Sequence, residues 1–167
     1  GMGSAYRAAF RRALDEGGDD VIVTIDADFS HSPRYAPELI RECQKYDLVI
    51  GSRYVEGGRI ENWELWRRAL SWGGNLYVRT ITGLPIRDCT AGFSAMRADF
   101  LRGVPFENVA PSGYAWWFTL RMMFFRRGAR IREIPITFTE RRLGQSKINT
   151  HIIYEGLLEP WRIRFSK

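Results

Sequence analysis

The sequence predicts an α/β fold in which helices flank a sheet. Three observations lead there: short β-branched or aliphatic runs at residues 21–25 and 48–50, each closing on a turn; helical periodicity between and after them; and an alternating segment over residues 130–139. Strands interleaved with helices are the mark of a layered α/β domain.

Each element has its own signal. Residues 6–16 place Tyr6, Ala9, Phe10, Ala13 and Leu14 at helical spacing, and Gly17-Gly18 supplies the stop. Residues 21–25 read as a buried strand that ends at Asp26-Ala27-Asp28. Ser32 is expected to cap a helix reaching Lys45, with Pro33 in its first turn; His31 has two readings, contact with a metal held by the preceding acids or, the favoured one, assistance to the cap. Residues 48–50 form a second buried strand, closed by Gly51-Ser52-Arg53, and residues 55–61, with Gly57-Gly58, read as a flexible loop. A long helical pattern over residues 63–81 is expected to break at Gly73-Gly74. Residues 93–96 read as a strand, 114–127 as a thick buried helix ended by Gly128, and 130–139 as one alternating strand. A polar loop over 141–147 precedes a short amphipathic helix over 149–158.

Length and composition fit one domain. The chain has 167 residues, 45% hydrophobic and 14% aromatic, without low-complexity tracts, which excludes disorder and fibres. No apolar run reaches the roughly 18 residues of a membrane span, and Cys43 and Cys89 have no metal-binding spacing, so a reduced, soluble, cytoplasmic chain is expected. Charge is uneven: residues 1–120 carry net −1 and residues 121–167 net +7. The basic end suits nucleic acid, anionic lipid or phosphate ligands.

Asp26 and Asp28 stand at the carboxyl end of a hydrophobic strand, where open α/β sheets bind ligands. Such a hard, oxygen-rich pair suits Mg2+ or Mn2+ bridging a diphosphate. Two enzyme classes use that pattern: haloacid-dehalogenase-like phosphatases, with Ser52 as a phosphate-holding residue, and glycosyltransferases. A non-catalytic module binding nucleic acid or acidic membrane through the basic end is a third possibility. For an incoming phosphate, Arg53, Arg67, Arg68 and Ser71 are candidates, because guanidinium groups grip phosphate oxygens bidentately; Arg67 and Ser71, four apart, share a helix face.

Four segments in order, Asp26-Ala27-Asp28-Phe29-Ser30-His31-Ser32-Pro33, Val49-Ile50-Gly51-Ser52-Arg53-Tyr54, Asp88-Cys89-Thr90-Ala91-Gly92-Phe93 and Arg141-Arg142-Leu143-Gly144-Gln145-Ser146-Lys147, resemble the motifs of polyprenyl-phosphate (dolichol-phosphate) mannose synthases of glycosyltransferase family 2. The opening Gly1-Met2-Gly3-Ser4-Ala5-Tyr6 resembles the helix start before the same family's DxD.

The resemblance implies a GT-A (Rossmann-like) mixed sheet flanked by helices. Residues 1–167 would be the C-terminal part of that single domain, lacking the first nucleotide-binding strands and ending in an amphipathic segment at about 148–167. It implies metal-dependent, inverting transfer of mannose from a nucleotide sugar, GDP-mannose, to a polyprenyl phosphate, with UDP-glucose as the alternative donor. Asp26, Asp28 and Ser30 would hold the metal. Asp26, Asp28, Arg141 and Lys147 would bind the donor, and Arg53, Arg67 and Ser71 the acceptor phosphate. Asp28, Asp88, Arg141 and Lys147 form the catalytic set, Asp88 beside the donor sugar and Arg141 and Lys147 on a cationic lid. No QxxRW segment of the processive polysaccharide synthases is present. Trp63, Trp66, Ala69, Leu70, Leu76 and Tyr77 make an apolar stripe beside Arg67 and Arg68, so peripheral attachment to the inner or endoplasmic-reticulum membrane is expected, without nucleic-acid binding.

Overall fold

The computed structural model describes residues 2–18, 20–110, 113–140 and 150–166. Its centre is β2 (Leu48–Ser52), every residue of which is buried. β4 (Ser94–Arg97) lies antiparallel on one side of it and carries β1 (Val21–Thr24), also antiparallel; β5 (Ile131–Pro135) lies parallel on the other side. The sheet order is therefore β1-β4-β2-β5, with mixed directions.

Strand side chains alternate between faces, and the two faces of the sheet have separate cores. Leu48, Ile50 and Met96 join Phe10 of α1 (Met2–Glu16) and Trp116 of α5 (Ala115–Arg126). Val49, Ala95 and Ile134 pack with Leu39 of α2 (Ala36–Glu42). α5 is buried nearly all round, as its low polarity demands.

Several boundaries differ from expectation for physical reasons. The helix expected after Ser32 opens as a 3-10 turn, Pro33–Tyr35, before α2, and ends at Glu42 rather than Lys45. Ser32 has the extended backbone of a cap but makes no side-chain cap hydrogen bond. The loop over residues 55–61 ends in a strand, β3 (Arg59–Glu61), because it finds a parallel partner in β6 (Thr137–Thr139).

The single strand expected over 130–139 is two. Ile136 makes the crossing: its N–H donates to the Ser52 carbonyl at 3.0 Å, and its own carbonyl accepts from Arg59 N–H at 3.0 Å. α3 (Leu65–Thr82) runs unbroken through Gly73-Gly74. Two helical glycines cost about 1 kcal/mol each against alanine, but Asn75 ties down that stretch, donating to the Ser71 carbonyl (2.8 Å) and accepting from Cys89 N–H (2.6 Å). α3 stops at Gly83, whose left-handed φ of 74° only glycine adopts readily.

A short helix, α4 (Ala98–Arg102), follows β4 directly and carried no clear periodicity. α6 (Thr150–Phe165) extends beyond residue 158 and through Pro160 because it docks on α3: Trp161 donates to the Tyr77 hydroxyl (2.9 Å), which donates to the Leu157 carbonyl (2.8 Å). Among the described residues, no helix is long and apolar enough to cross a membrane.

Candidate functional site

β1 delivers the two acids. Its last residue, Thr24, hydrogen-bonds the Gly92 carbonyl (2.8 Å), anchoring the strand end beside the segment that begins at Asp88. Asp26 then lies against Gly92, where an added Cβ would sit 2.9 Å from its Oδ1. A side chain there would push that carboxylate aside. The Tyr6 hydroxyl reaches Asp26 from α1; burial first, then the Asp26 charge and their hydrogen bond, push the Tyr6 phenol up to about 12, so it stays a proton donor at neutral pH.

Asp28 closes a tight turn, its Oδ1 accepting from Ser30 N–H (3.0 Å) and Ser30 Oγ (2.5 Å). Phe29, between them, has a left-handed φ of 61°, a strained state for a bulky residue, and its ring is 88% exposed. Ser30 is buried and its hydroxyl serves Asp28.

His31 is buried between Phe93 and Phe138, with Nδ1 at 3.5 Å from Asp26 Oδ2 and without a hydrogen-bond partner. It is therefore not the helix cap that was expected. Burial, reinforced by the Arg53 charge, lowers its pKa to about 4 against the pull of Asp28 and Asp88, so the ring is neutral.

Asp26 and Asp28, two apart in the chain, are hard oxygen donors of the kind a divalent cation takes together with phosphate and water; among the described residues no group of three or more His, Cys, Asp or Glu could hold a metal by itself. A closed structural zinc site would need four protein ligands.

Behind this turn lies a sealed ion pair. Asp88 is fully buried and receives Arg53 Nε (2.8 Å), Nη2 (2.7 Å) and backbone N–H (3.0 Å), while Arg53 Nη2 also reaches Thr90 Oγ1 (3.1 Å). Burial alone would raise the Asp88 carboxyl, but the Arg53 guanidinium outweighs it and holds it below the ordinary range. Asp88 is thus an anchored anion, poorly suited to act as a base. Arg121, also buried, donates to the carbonyls of Asp88 (3.0 Å) and Ala91 (2.5 Å) and fixes the loop from behind.

The remaining candidates are scattered in role. Arg67 pairs with Glu140 and lies over the Trp63 ring, and Ser71 Oγ accepts from Tyr54 Oη at 2.7 Å. Arg53, Tyr54, Gly58, Arg59, Arg68 and Trp72 line a cavity of about 350 Å³. Gly58 is required there, because a Cβ would fall 2.8 Å from the Arg53 carbonyl oxygen. Arg141 and Lys147 lie outside the described residues.

Tyr6, Tyr54, Arg59 and Arg121 were missed from the sequence. Tyr6 sits on a helix far from the acids along the chain, and Arg121 lies inside an apolar helical run with no local pattern that marks its partners. Arg59 lies in the segment whose glycines read as a loop, and only the pairing of β3 brings it to the cavity.

The family model for glycosyl transferase family 2 matches residues 1–104. An undecaprenyl-phosphate mannosyltransferase of Micrococcus luteus is 44% identical over 162 residues, covering 97% of this chain and 66% of its own length. A polyprenol monophosphomannose synthase of Mycolicibacterium smegmatis is 40% identical over 167 residues, covering 98% of this chain and 63% of its own. The chain thus spans a little under two thirds of these relatives. Among solved structures, the glucosyl-3-phosphoglycerate synthase of Mycobacterium tuberculosis in complex with Mn2+, UDP-glucose and phosphoglyceric acid superposes with a TM-score of 0.61 at 21% identity, over 93% of this chain and 54% of that one. That likeness is one of fold.

Proposed function

This chain belongs to glycosyl transferase family 2, and from that premise we propose that it carries out mannosyl transfer from GDP-mannose to a polyprenyl phosphate at the cytoplasmic face of the inner or endoplasmic-reticulum membrane. The fold class is that of GT-A glycosyltransferases, and the phosphatase alternative falls with the family assignment. Two relatives bearing the matching names support the reading. The observation that carries it is the Asp26–Asp28 turn, built at the carboxyl end of β1 beside the segment that holds the Arg53–Asp88 pair.

In this reading Asp26 and Asp28 hold Mg2+ or Mn2+, which when bound neutralises the donor diphosphate as it leaves. Ser30 acts through Asp28, fixing its carboxylate by two hydrogen bonds. Tyr6 holds Asp26 from the other side. Asp88 fixes Arg53 by engaging Nε and Nη2 and not Nη1, and Arg53 lines the arginine cavity where the acceptor phosphate arrives. A phosphate monoester is already an anion at neutral pH, its second pKa being near ~6, so the site needs positioning rather than a general base. Arg67 and Ser71 support that wall through Glu140 and Tyr54. Arg141 and Lys147 belong to the donor side as lid cations. Direct displacement at the anomeric carbon inverts its configuration.

The acceptor's tail fits the outer surface. Leu65, Trp66, Leu70 and Trp72 of α3 and Leu157 and Trp161 of α6 are all exposed, an apolar ridge of the kind that rests in a membrane interface.

The test uses the full-length protein with labelled GDP-mannose or UDP-glucose, a short prenyl phosphate and Mg2+, Mn2+ or chelator. Mannosyl transfer that needs the metal, and that falls by about 100-fold or more in Asp28→Asn, is expected, the scale of losing one preorganised charge contact in a transition state. Use of UDP-glucose in place of GDP-mannose would overturn the donor, and full activity in Asp28→Asn would overturn the site.

A further inference from the structure

We propose that the smaller cavity on α3, walled by Tyr54, Trp72, Asn75, Leu76, Arg79 and Arg87, is a second anion site that takes the phosphodiester headgroup of an anionic membrane phospholipid. The proposal deepens the membrane-surface part of the function proposed above and rests on it. The cavity is about 190 Å³, below the roughly 300 Å³ at which drug-sized ligands begin to fit. It has room for one phosphate group.

Helix geometry builds it. Trp72, Asn75, Leu76 and Arg79 fall at i, i+3, i+4 and i+7 of α3 and share one face. Asn75 is a rigid wall, since both its amide oxygen and nitrogen are engaged internally. Arg87 comes from the segment after Gly83, which Glu133 pins by accepting the N–H groups of Arg87 (2.7 Å) and Asp88 (2.9 Å).

The nearby Glu133 carboxylate is taken by the backbone N–H groups of Arg87 and Asp88. Among the described residues neither Arg79 nor Arg87 makes an ion pair, and no acidic residue lines the cavity. Arg79 Nε is buried without a hydrogen-bond partner, a donor stripped of water that an acceptor oxygen would satisfy.

This cavity adjoins the acceptor's, sharing the walls Tyr54 and Trp72, but presents its own arginines, Arg79 and Arg87. Arg68, in the larger cavity, lies on the same face of α3 eleven residues before Arg79, roughly 16 Å along the axis at 1.5 Å per residue. The apolar surroundings select a lipid over a free phosphate: Trp72 and Leu76 are 56% and 42% exposed at the cavity itself. The exposed Leu157 and Trp161 of the neighbouring α6 continue that surface for acyl chains.

The experiment compares full-length parent, the double variant Arg79→Gln/Arg87→Gln, the single variant Arg87→Gln at an exposed side chain, and a control, Arg11→Gln/Arg12→Gln, that removes equal charge from α1. Partitioning onto phosphatidylcholine vesicles with and without phosphatidylglycerol is measured by flotation. The double variant is expected to lose about tenfold or more of its phosphatidylglycerol-dependent binding, the single variant a smaller share in the same direction, and the control little. Equal losses in control and double variant would reduce the effect to diffuse attraction and overturn the site. So would parent-like binding by both cavity variants.

Two further arms separate the sources. Soluble glycerol phosphate should leave the thermal midpoint of parent and variant alike; protection of the parent alone would assign the cavity to a free phosphate ester. In detergent without phospholipid, the variants should transfer to prenyl phosphate with unchanged acceptor KM; a raised KM would give the cavity to the acceptor and overturn the proposal. A parent that fails to transfer mannose would sink the function proposed above, while the vesicle arm still decides this one.

Discussion

Arg53 and Arg68 line the same cavity and treat charge in opposite ways. Arg53 is 8% exposed, locked to Asp88 through two guanidinium nitrogens and backed by Arg121 on the far side of the loop. Arg68, across from it, has a buried Nε without a hydrogen-bond partner, and it makes no ion pair among the described residues. Inner cations are finished by the fold itself, whereas outer ones are left incomplete by it. A buried charge without its partner is costly, so the inner set reads as scaffold and the outer set as surface held ready for a ligand.

The contrast breaks most visibly at Asp88. Asp88→Ala strands the buried Arg53 guanidinium, leaving Arg121 its main-chain acceptors, and should cost about 3–5 kcal/mol of stability, measured by urea unfolding; a loss under about 1 kcal/mol would mean that water already reaches the pair.

A smaller effect comes from pH. His31 titrates near 6.5 when unfolded and at about 4 when folded, so the unfolded chain binds the proton first. Its contribution is full above about pH 6.5 and is lost as pH falls towards about 4, roughly 2 kcal/mol of it between about pH 7 and 5. Urea midpoints in chelator should show that slope, and His31→Gln should flatten it; an unchanged slope would assign it to other groups.

The smallest effect sharpens the other side. Arg68→Gln removes no internal partner and should leave stability within about 0.5 kcal/mol of the parent, while raising the acceptor KM. A large loss of stability there would erase the distinction between inner and outer cations.

The elements with a strong period were legible beforehand. β1, β2, α3 and α5 could be read from β-branched runs and helical spacing, and the Asp26–Asp28 turn from its place after a strand. What the sequence hid depends on pairing across the chain. β3 is only three residues long and exists through β6, so its Arg59 could not be seen as a wall of the cavity. Likewise Arg53 was legible as a phosphate candidate, but its partner is 35 residues away and buried. No local pattern distinguishes a guanidinium that meets a carboxylate in the core from one that meets solvent.

Ile136 has a further consequence. Its N–H reaches the carbonyl of Ser52, the residue before Arg53, and its carbonyl takes the N–H of Arg59. The two arginine-bearing backbones are therefore gauged by the main chain of a single residue, like the jaws of a caliper set by one screw. The aperture between them is fixed by main-chain atoms, so the identity of residue 136 can drift among side chains that fill the core without changing the gap.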